Sequence, residues 1–144
     1  MNEPLGERAE SMAFFRPRVS REAEVRYHAD LEISKSYPQL LEKARQAEQV
    51  VRELRAGDAD EVELRGAGLA FDRALTEALR AAEAGQRATF GVTSYDDRIA
   101  RRKARATPAG AMWTAEVERL RTLREDNRLS GIPRVPRGWR STGR

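Results

Sequence analysis

The 144-residue chain contains no cysteine and only one histidine, His28, and aromatic residues make up just 6% of it. The absence of thiols excludes disulfides, thiolate nucleophiles and cysteine-ligated zinc. No apolar run approaches the roughly 20 residues of a membrane span. Acidic residues also interrupt the start of the chain, where a secretory signal needs an apolar core. We therefore expect an intracellular (cytoplasmic) protein, or one held within a particle, without a membrane span or signal peptide.

Charged residues make up 35% of the chain, which favours a thin helical protein over a large globular core. Residues 1–95 carry 14 basic and 17 acidic residues, whereas residues 96–144 carry 13 basic and 6 acidic residues. All but three of the 27 basic residues are arginine. Arginine suits phosphate and carboxylate recognition, although a GC-rich genome would produce the same bias. The charge asymmetry indicates two regions with different tasks or partners.

Hydrophobic periodicity predicts a mainly α fold: a small elongated helical domain with extended N- and C-terminal arms. The clearest helix spans 37–56, with Ser36 as its cap, Pro38 in its first turn and Gly57 as its stop. Residues 23–33 alternate apolar and polar side chains as a strand does, but a Ser20 cap and good helix formers favour a helix. Residues 86–95 show a second strand-like alternation. One or two short β segments are therefore the alternative at these places.

Three further helices are expected. The first begins only near Leu69, because Gly66 and Gly68 weaken an earlier start, and it stops at Gly85. The second is basic and follows a cap at Asp96-Asp97, and the third runs from near Thr114 to about Asn127. The predicted organisation is an N-terminal arm (1–19), a helical core domain (20–95), a basic helical region (96–127) and an Arg/Pro/Gly-rich C-terminal arm (128–144).

Few residues are suited to catalysis. His28 lies among charged residues and is more typical of a partly exposed surface histidine than of a general base. Four acids at positions 58, 60, 61 and 63 do not match a calcium loop and are better explained as acids at the start of a helix. The Gly66-Ala67-Gly68 segment lacks the residues of a nucleotide-binding loop. We predict no enzyme activity, no cofactor and no metal.

The basic segments are the candidate binding site. A helix over 98–105 would place four arginines largely on one side, with Lys103 on its flank, and such a density of fixed cations attracts phosphates. A solvated charged face is the alternative. In the C-terminal arm, Trp139 lies between arginines and is able to stack on a base or enter a groove of a partner. The predicted nucleic-acid or partner-binding residues are Arg98, Arg101, Arg102, Lys103, Arg105, Arg134, Arg137, Trp139, Arg140 and Arg144.

The N-terminal arm carries an apolar stripe at helical spacing. This stripe either packs on its own domain or docks onto a neighbouring subunit. The candidate residues for subunit docking are Leu5, Met12, Phe14 and Phe15.

These features predict a non-enzymatic structural or assembly protein. Its basic C-terminal region would bind nucleic acid or an acidic partner surface within a larger complex, such as a virion or another nucleoprotein particle. The protein would be a homo-oligomer or a subunit of a larger assembly. Two alternatives remain open: a DNA-binding transcriptional regulator, and a protein-binding inhibitor or adaptor that uses Trp139 and the proline-spaced arm.

Overall fold

A computed structural model describes residues 19–130 of the chain, and all regular structure in this range is helical. The elements are α1 (Arg21–Ser34), α2 (Tyr37–Ala56), α3 (Glu61–Thr89), a 3-10 turn (Val92–Tyr95), α4 (Arg98–Arg105) and α5 (Pro108–Ser130). The prediction of a mainly α fold is confirmed. For residues 23–33 the favoured helix is confirmed. The alternative of a short β segment within 86–95 is wrong, since residues 86–89 end α3 and residues 92–95 form the 3-10 turn.

Side-chain caps mark the starts of α1, α3 and α4. The Ser20 hydroxyl accepts a hydrogen bond from the Ala23 amide at 3.0 Å, as predicted from the sequence. The Asp60 carboxylate accepts from the Glu63 amide at 2.8 Å, and Asp97 accepts from the Ile99 amide at 2.9 Å. Ser36 occupies the predicted cap position of α2, but its hydroxyl instead donates to the Ile33 carbonyl.

Helix α3 is longer than predicted at both ends. It begins at Glu61 rather than near Leu69, because the Asp60 cap and the packing of the helix outweigh the low helix propensity of glycine. Gly68 is buried in α3, and its carbonyl accepts a hydrogen bond from the Asn127 amide group at 3.0 Å. Gly85 does not stop the helix either. A Cβ atom at Gly85 would lie 2.7 Å from the Trp113 ring, so this glycine serves close helix packing.

The core forms around α3, which packs against α1, α2 and α5. Leu75 and Leu79 of α3 are buried in one cluster with Val51 of α2 and with Val117 and Leu120 of α5. Six further buried positions of α3 hold small residues that allow the neighbouring helices to approach closely; these are Ala78, Ala81, Ala82, Ala84, Gly85 and Ala88. Burial on more than one side explains why a 29-residue helix carries so many alanines.

Trp113 joins three of the helices. Its ring lies against Gly85 of α3 and meets the Tyr37 ring of α2 edge-on, with the ring centroids 5.4 Å apart. The Tyr37 hydroxyl donates a hydrogen bond to the Glu116 carboxylate of α5. Burial, together with this bond to an anion, raises the pKa of Tyr37. One large aromatic residue thus fixes the spacing of α2, α3 and α5 where the small residues of α3 leave room for it.

Helix α3 is followed by Gly91, whose φ of 93° lies in the region that favours glycine. The 3-10 turn and α4 follow, and α5 begins at Pro108 instead of near Thr114. Proline is well suited to the first position of a helix, and the Thr107 hydroxyl accepts a hydrogen bond from the Gly110 amide at 3.1 Å. A Cβ atom at Gly110 would lie 2.0 Å from the Ala104 carbonyl oxygen. The crossing of α4 and α5 therefore requires glycine.

Helix α5 reaches Ser130, the last described residue, so residues 128–130, assigned to the C-terminal arm by the sequence, belong to this helix. Among residues 19–130, none of the helices combines the length and the apolar character that a bilayer crossing needs.

Candidate anion-binding site

A cavity of about 270 Å³ lies where α1, the end of α3, the 3-10 turn and α4 meet. Four guanidinium groups from three helices converge on it, and two aromatic rings, one amide and one hydroxyl complete its wall. The lining residues are Arg26, Gln86, Arg87, Phe90, Ser94, Tyr95, Arg101 and Arg105.

One buried carboxylate, that of Asp30, positions two residues of the cavity wall. Asp30 of α1 is only 7% exposed. It accepts hydrogen bonds from Arg87 Nε at 2.9 Å and Arg87 Nη2 at 3.0 Å, and a third from the Tyr95 hydroxyl at 2.6 Å. Burial alone would raise the pKa of Asp30, but the bonds from Arg87 and Tyr95 outweigh it and lower the pKa below its usual value. Asp30 is therefore a stable anion that joins α1, α3 and the 3-10 turn.

The Asp30 carboxylate engages only some of the N–H donors of the Arg87 guanidinium. A guanidinium has five N–H donors, and two of those on Arg87 are directed at Asp30, which leaves three. The hydrogen bond to Asp30 is the main reason that the pKa of Arg87 is raised. The Arg87 side chain is 47% exposed. Its remaining donors are thus held in a fixed position at the cavity wall.

Two more cavity arginines are positioned by neighbouring groups. The Arg26 guanidinium carbon lies 5.6 Å from the centroid of the Tyr95 ring, a cation–π arrangement. The Tyr95 ring is also packed edge-on against Tyr27, at a centroid distance of 6.2 Å. Arg101 Nε donates to the Ser94 carbonyl at 3.2 Å, which leaves its four terminal N–H donors available.

The cavity wall is rich in positive charge. Four arginines line it, and Asp30, which is hydrogen-bonded to Arg87, offsets one of these charges. Two further acids interact with cavity arginines. Asp96 is exposed, its carboxylate accepts a hydrogen bond from the Ser20 amide at 3.1 Å, and it interacts electrostatically with Arg26. Glu83 interacts electrostatically with Arg87 but forms its ion pair with Arg121. This arrangement can bind an anion.

The predicted basic helix divides into three parts. Arg101 and Arg105 line the cavity, whereas Arg98 and Arg102 do not. At 100° per residue these four arginines occupy an arc of roughly 100° on α4, so a continuous basic face leads from the cavity wall onto the exposed surface. Lys103 lies roughly 100° beyond the edge of that arc.

None of the five cations of α4 forms an ion pair with a carboxylate in the described range 19–130. The arginines of α5 differ in this respect. Arg121 pairs with Glu83 at 2.7 Å, and Arg128 pairs with Asp72 at 2.7 Å. These two ion pairs join α5 to α3. The positive charge of α5 is therefore partly used within the fold, whereas that of α4 faces solvent.

A second concavity, of about 410 Å³, is apolar and lies between the starts of α2 and α5, where it is bordered by Pro38, Met112 and Trp113. Its one charged group, Glu116, already accepts hydrogen bonds from Tyr37 and Arg119. This surface therefore offers no free charged group to a ligand.

The remaining residues considered for chemistry have structural surroundings. His28 is exposed and meets the Tyr27 ring edge-on at 5.3 Å. Asp60 caps α3, and Glu61 and Glu63 lie in the first turn of that helix. Within residues 19–130, no group of three or more potential ligands is arranged to hold a metal ion.

Several predicted binding residues lie outside the described range. These are Arg134, Arg137, Trp139, Arg140 and Arg144 at the C-terminal end, and Leu5, Met12, Phe14 and Phe15 at the N-terminal end.

The sequence predicted only two of the eight lining residues, Arg101 and Arg105. Arg26, Arg87 and Tyr95 were not predicted as site residues, and Asp30 is separated from Arg87 by 57 positions. No local motif joins them. The only available signal was Asp30 itself, because a buried aspartate on a helix needs a cation from another part of the chain as its partner.

No protein-family model matches the chain, and comparisons with curated proteins and with solved structures gave no significant match.

Proposed function

We propose that this protein is a non-enzymatic assembly component that binds nucleic acid through the basic face of α4 together with the arginines of its C-terminal segment. The observation that carries the proposal is the unpaired state of the α4 cations with respect to the carboxylates of residues 19–130. Self-association, or a place in a nucleoprotein particle, belongs to the same proposal.

The electrostatics of α4 support this assignment. The helix has five basic residues among eight and no acid, and its two flanking acids, Asp96 and Asp97, are both engaged in hydrogen bonds to backbone amides. Fixed cations without intramolecular partners repel one another, and binding of polyanionic phosphate relieves that repulsion. Arginine adds planar donors that fit phosphate oxygens.

Salt dependence of DNA binding tests the proposal. We expect the full chain to bind a random-sequence 20-base-pair duplex with an affinity that falls steeply between about 50 and 200 mM salt, because each phosphate contact releases counterions. The double variant Arg98→Gln/Arg102→Gln should lower the slope of log K against log salt by about two, since each phosphate that is no longer neutralised reduces it by roughly 0.9. Fluorescence anisotropy measures both quantities.

The matched control is Arg73→Gln/Arg80→Gln, which removes the same charge from exposed positions of α3 that form no ion pair with residues 19–130. This control should leave the slope within about 0.5 of the wild type, because the two arginines are not on the proposed face. Equal slopes for the wild type and the α4 variant would show that α4 does not contact the nucleic acid.

Titrations with duplexes of different sequence and with a protein partner separate the alternatives. A preference of about 10³-fold or more for one duplex sequence would favour a DNA-binding regulator, because specific sites exceed non-specific binding by about that factor or more. Salt-insensitive binding to a protein, with no DNA binding, would favour an inhibitor or adaptor.

A further inference from the structure

We propose that the arginine-lined cavity binds a phosphate monoester, supplied either by the end of a nucleic-acid strand or by a free mononucleotide. Arg26, Arg87, Arg101 and Arg105 surround this cavity. The strand-end source rests on the proposed function, whereas the free mononucleotide does not.

The donors of the cavity are already in position before any ligand arrives. Asp30 holds Arg87 through two hydrogen bonds, the Ser94 carbonyl holds Arg101, and the Tyr95 ring supports Arg26. Each of these contacts leaves further N–H donors of the guanidinium unused. Pre-positioned side chains lose little conformational entropy on binding, which favours a compact ligand with several acceptor oxygens.

The charge of the cavity favours a monoester over an internal diester. The four lining arginines and the Asp30 carboxylate together carry a formal charge of three positive units, and Asp96 and Glu83 interact electrostatically with Arg26 and Arg87 from outside the lining. A phosphate monoester carries about 1.5 to 2 negative charges at pH 7, with three oxygens as strong acceptors. An internal diester in a strand carries one charge. Arginine stays protonated throughout, so the cavity remains cationic at any physiological pH.

The size of the cavity points to the end of a chain. A volume of about 270 Å³ is at the small end for ligand sites, and a duplex does not enter a space of this size. A terminal phosphate enters from one side only, whereas an internal phosphate carries chain on both sides. Phe90 and Tyr95 add aromatic walls next to the guanidinium groups. Such rings can pack against the base or sugar that follows the phosphate.

The cavity is continuous with the proposed binding face. Arg101 and Arg105 belong to the same arc of α4 as Arg98 and Arg102. A nucleic-acid strand that binds along Arg98 and Arg102 can therefore place its end in the cavity.

Equilibrium binding of matched probes tests the proposal. The probes are adenosine 5′-monophosphate, adenosine, and three versions of one single-stranded oligonucleotide with a 5′-phosphate, a 3′-phosphate or no terminal phosphate. We expect the nucleotide to bind at least about tenfold more tightly than adenosine, and one phosphorylated oligonucleotide to exceed the unphosphorylated one by a similar factor, equivalent to about 1.4 kcal/mol.

Two variants of α4 make the result specific. Arg101→Gln/Arg105→Gln, at exposed cavity positions, should reduce both preferences to less than about twofold. Arg98→Gln/Arg102→Gln should lower the affinity for all three oligonucleotides but keep the preference for the phosphorylated one. The single variant Arg105→Gln repeats the test without removing any hydrogen bond of the described residues, and it should lower the preferences in the same direction.

The outcomes distinguish this inference from the proposed function. Binding of the oligonucleotides without any effect of a terminal phosphate, combined with equal affinity for the nucleotide and adenosine, would overturn the cavity assignment and leave the α4 face in place. Preferential binding of the nucleotide without binding of the oligonucleotides would support the cavity and overturn the nucleic-acid function. Retention of the phosphate preference in Arg101→Gln/Arg105→Gln would also overturn the cavity assignment.

Discussion

Asp30 is the residue on which the geometry of the cavity depends most. It is the one buried charged residue within 19–130, and its three hydrogen bonds join it to residues that are 57 and 65 positions away in the sequence. A buried carboxylate is tolerated only when such partners satisfy it. Asp30 therefore serves two purposes: it ties α1 to α3, and it orients one of the arginines that face the cavity.

We predict that Asp30→Asn destabilises the protein by about 1–3 kcal/mol at pH 7, because the charge-assisted bonds from Arg87 and Tyr95 are removed or weakened. Tyr95→Phe removes only the hydroxyl bond and should cost about 1 kcal/mol. Urea unfolding measures both. Glu32→Gln is the control: it breaks an exposed ion pair with Lys35, which is worth less than about 1 kcal/mol. Equal costs for Asp30→Asn and Glu32→Gln would contradict this role of Asp30.

The effect of Asp30→Asn should also depend on pH. The pKa of Asp30 is lower in the folded protein than in the unfolded chain, so its ionised form contributes stability above the unfolded value of about 4. That contribution disappears as the pH falls through the folded pKa. The difference between wild type and Asp30→Asn should thus be constant from pH 7 to about 5 and shrink below about pH 4. Unfolding curves across this range measure the trend, and a difference that grows at low pH would contradict it.

At the scale of elements, α3 illustrates that glycines in one helix have different roles. Gly66 and Gly85 both lie inside α3. A Cβ atom at Gly66 would meet nothing within 4 Å, whereas one at Gly85 would meet the Trp113 ring at 2.7 Å. Gly85 therefore holds the space into which Trp113 packs.

We predict opposite effects on stability for the two alanine substitutions. Gly66→Ala should stabilise the protein by about 0.5–1 kcal/mol, because alanine loses less conformational entropy in a helix. Gly85→Ala gains the same helix propensity, but it forces Trp113 to move, and overpacking costs about 1–3 kcal/mol. A net destabilisation of about 1 kcal/mol is expected. Thermal unfolding of both variants in parallel provides the comparison, and stabilisation by Gly85→Ala would contradict the contact with Trp113.

Sequence reasoning succeeded where local signals decide the structure. Helix α2 was predicted with its bounds because its apolar positions repeat regularly, and α4 because Asp97 caps a run of good helix formers. The length of α3 was missed because the roles of Gly68 and Gly85 depend on Asn127 and Trp113, far away in the chain. The cavity was found only in part for the same reason. Its α4 arginines form a local pattern, whereas Arg26 and Arg87 reach it through tertiary packing.

At the scale of the whole molecule, the distribution of charge distinguishes cations used within the fold from those left to a partner. The net charge is +4. Within residues 19–130, carboxylates form ion pairs with arginines of α2, α3 and α5, among them Arg87, Arg121 and Arg128. None of those carboxylates reaches the cations of α4. The C-terminal segment adds four arginines and no acid after residue 130. The proposal assigns both groups of cations to the same polyanion.

Charge-neutral variants of the C-terminal segment test whether the two groups act together. We predict that Arg134→Gln/Arg137→Gln/Arg140→Gln/Arg144→Gln lowers the salt slope of duplex binding by up to about 3.6, because each arginine that neutralises a phosphate adds about 0.9 to the slope. Combination with Arg98→Gln/Arg102→Gln should lower the slope further by about two, because separate phosphate contacts contribute additively. Anisotropy titrations at several salt concentrations measure these slopes.

The control for this comparison carries the same net charge. Arg55→Gln/Arg65→Gln/Arg73→Gln/Arg80→Gln also removes four positive charges, from exposed positions that form no ion pair within residues 19–130. If binding required only a positive molecule, both quadruple variants would weaken binding equally, since the long-range potential depends on the summed charge. If the C-terminal arginines contact phosphates directly, only their removal changes the number of counterions released. A C-terminal variant with the slope of the control would show that its four arginines do not touch the nucleic acid.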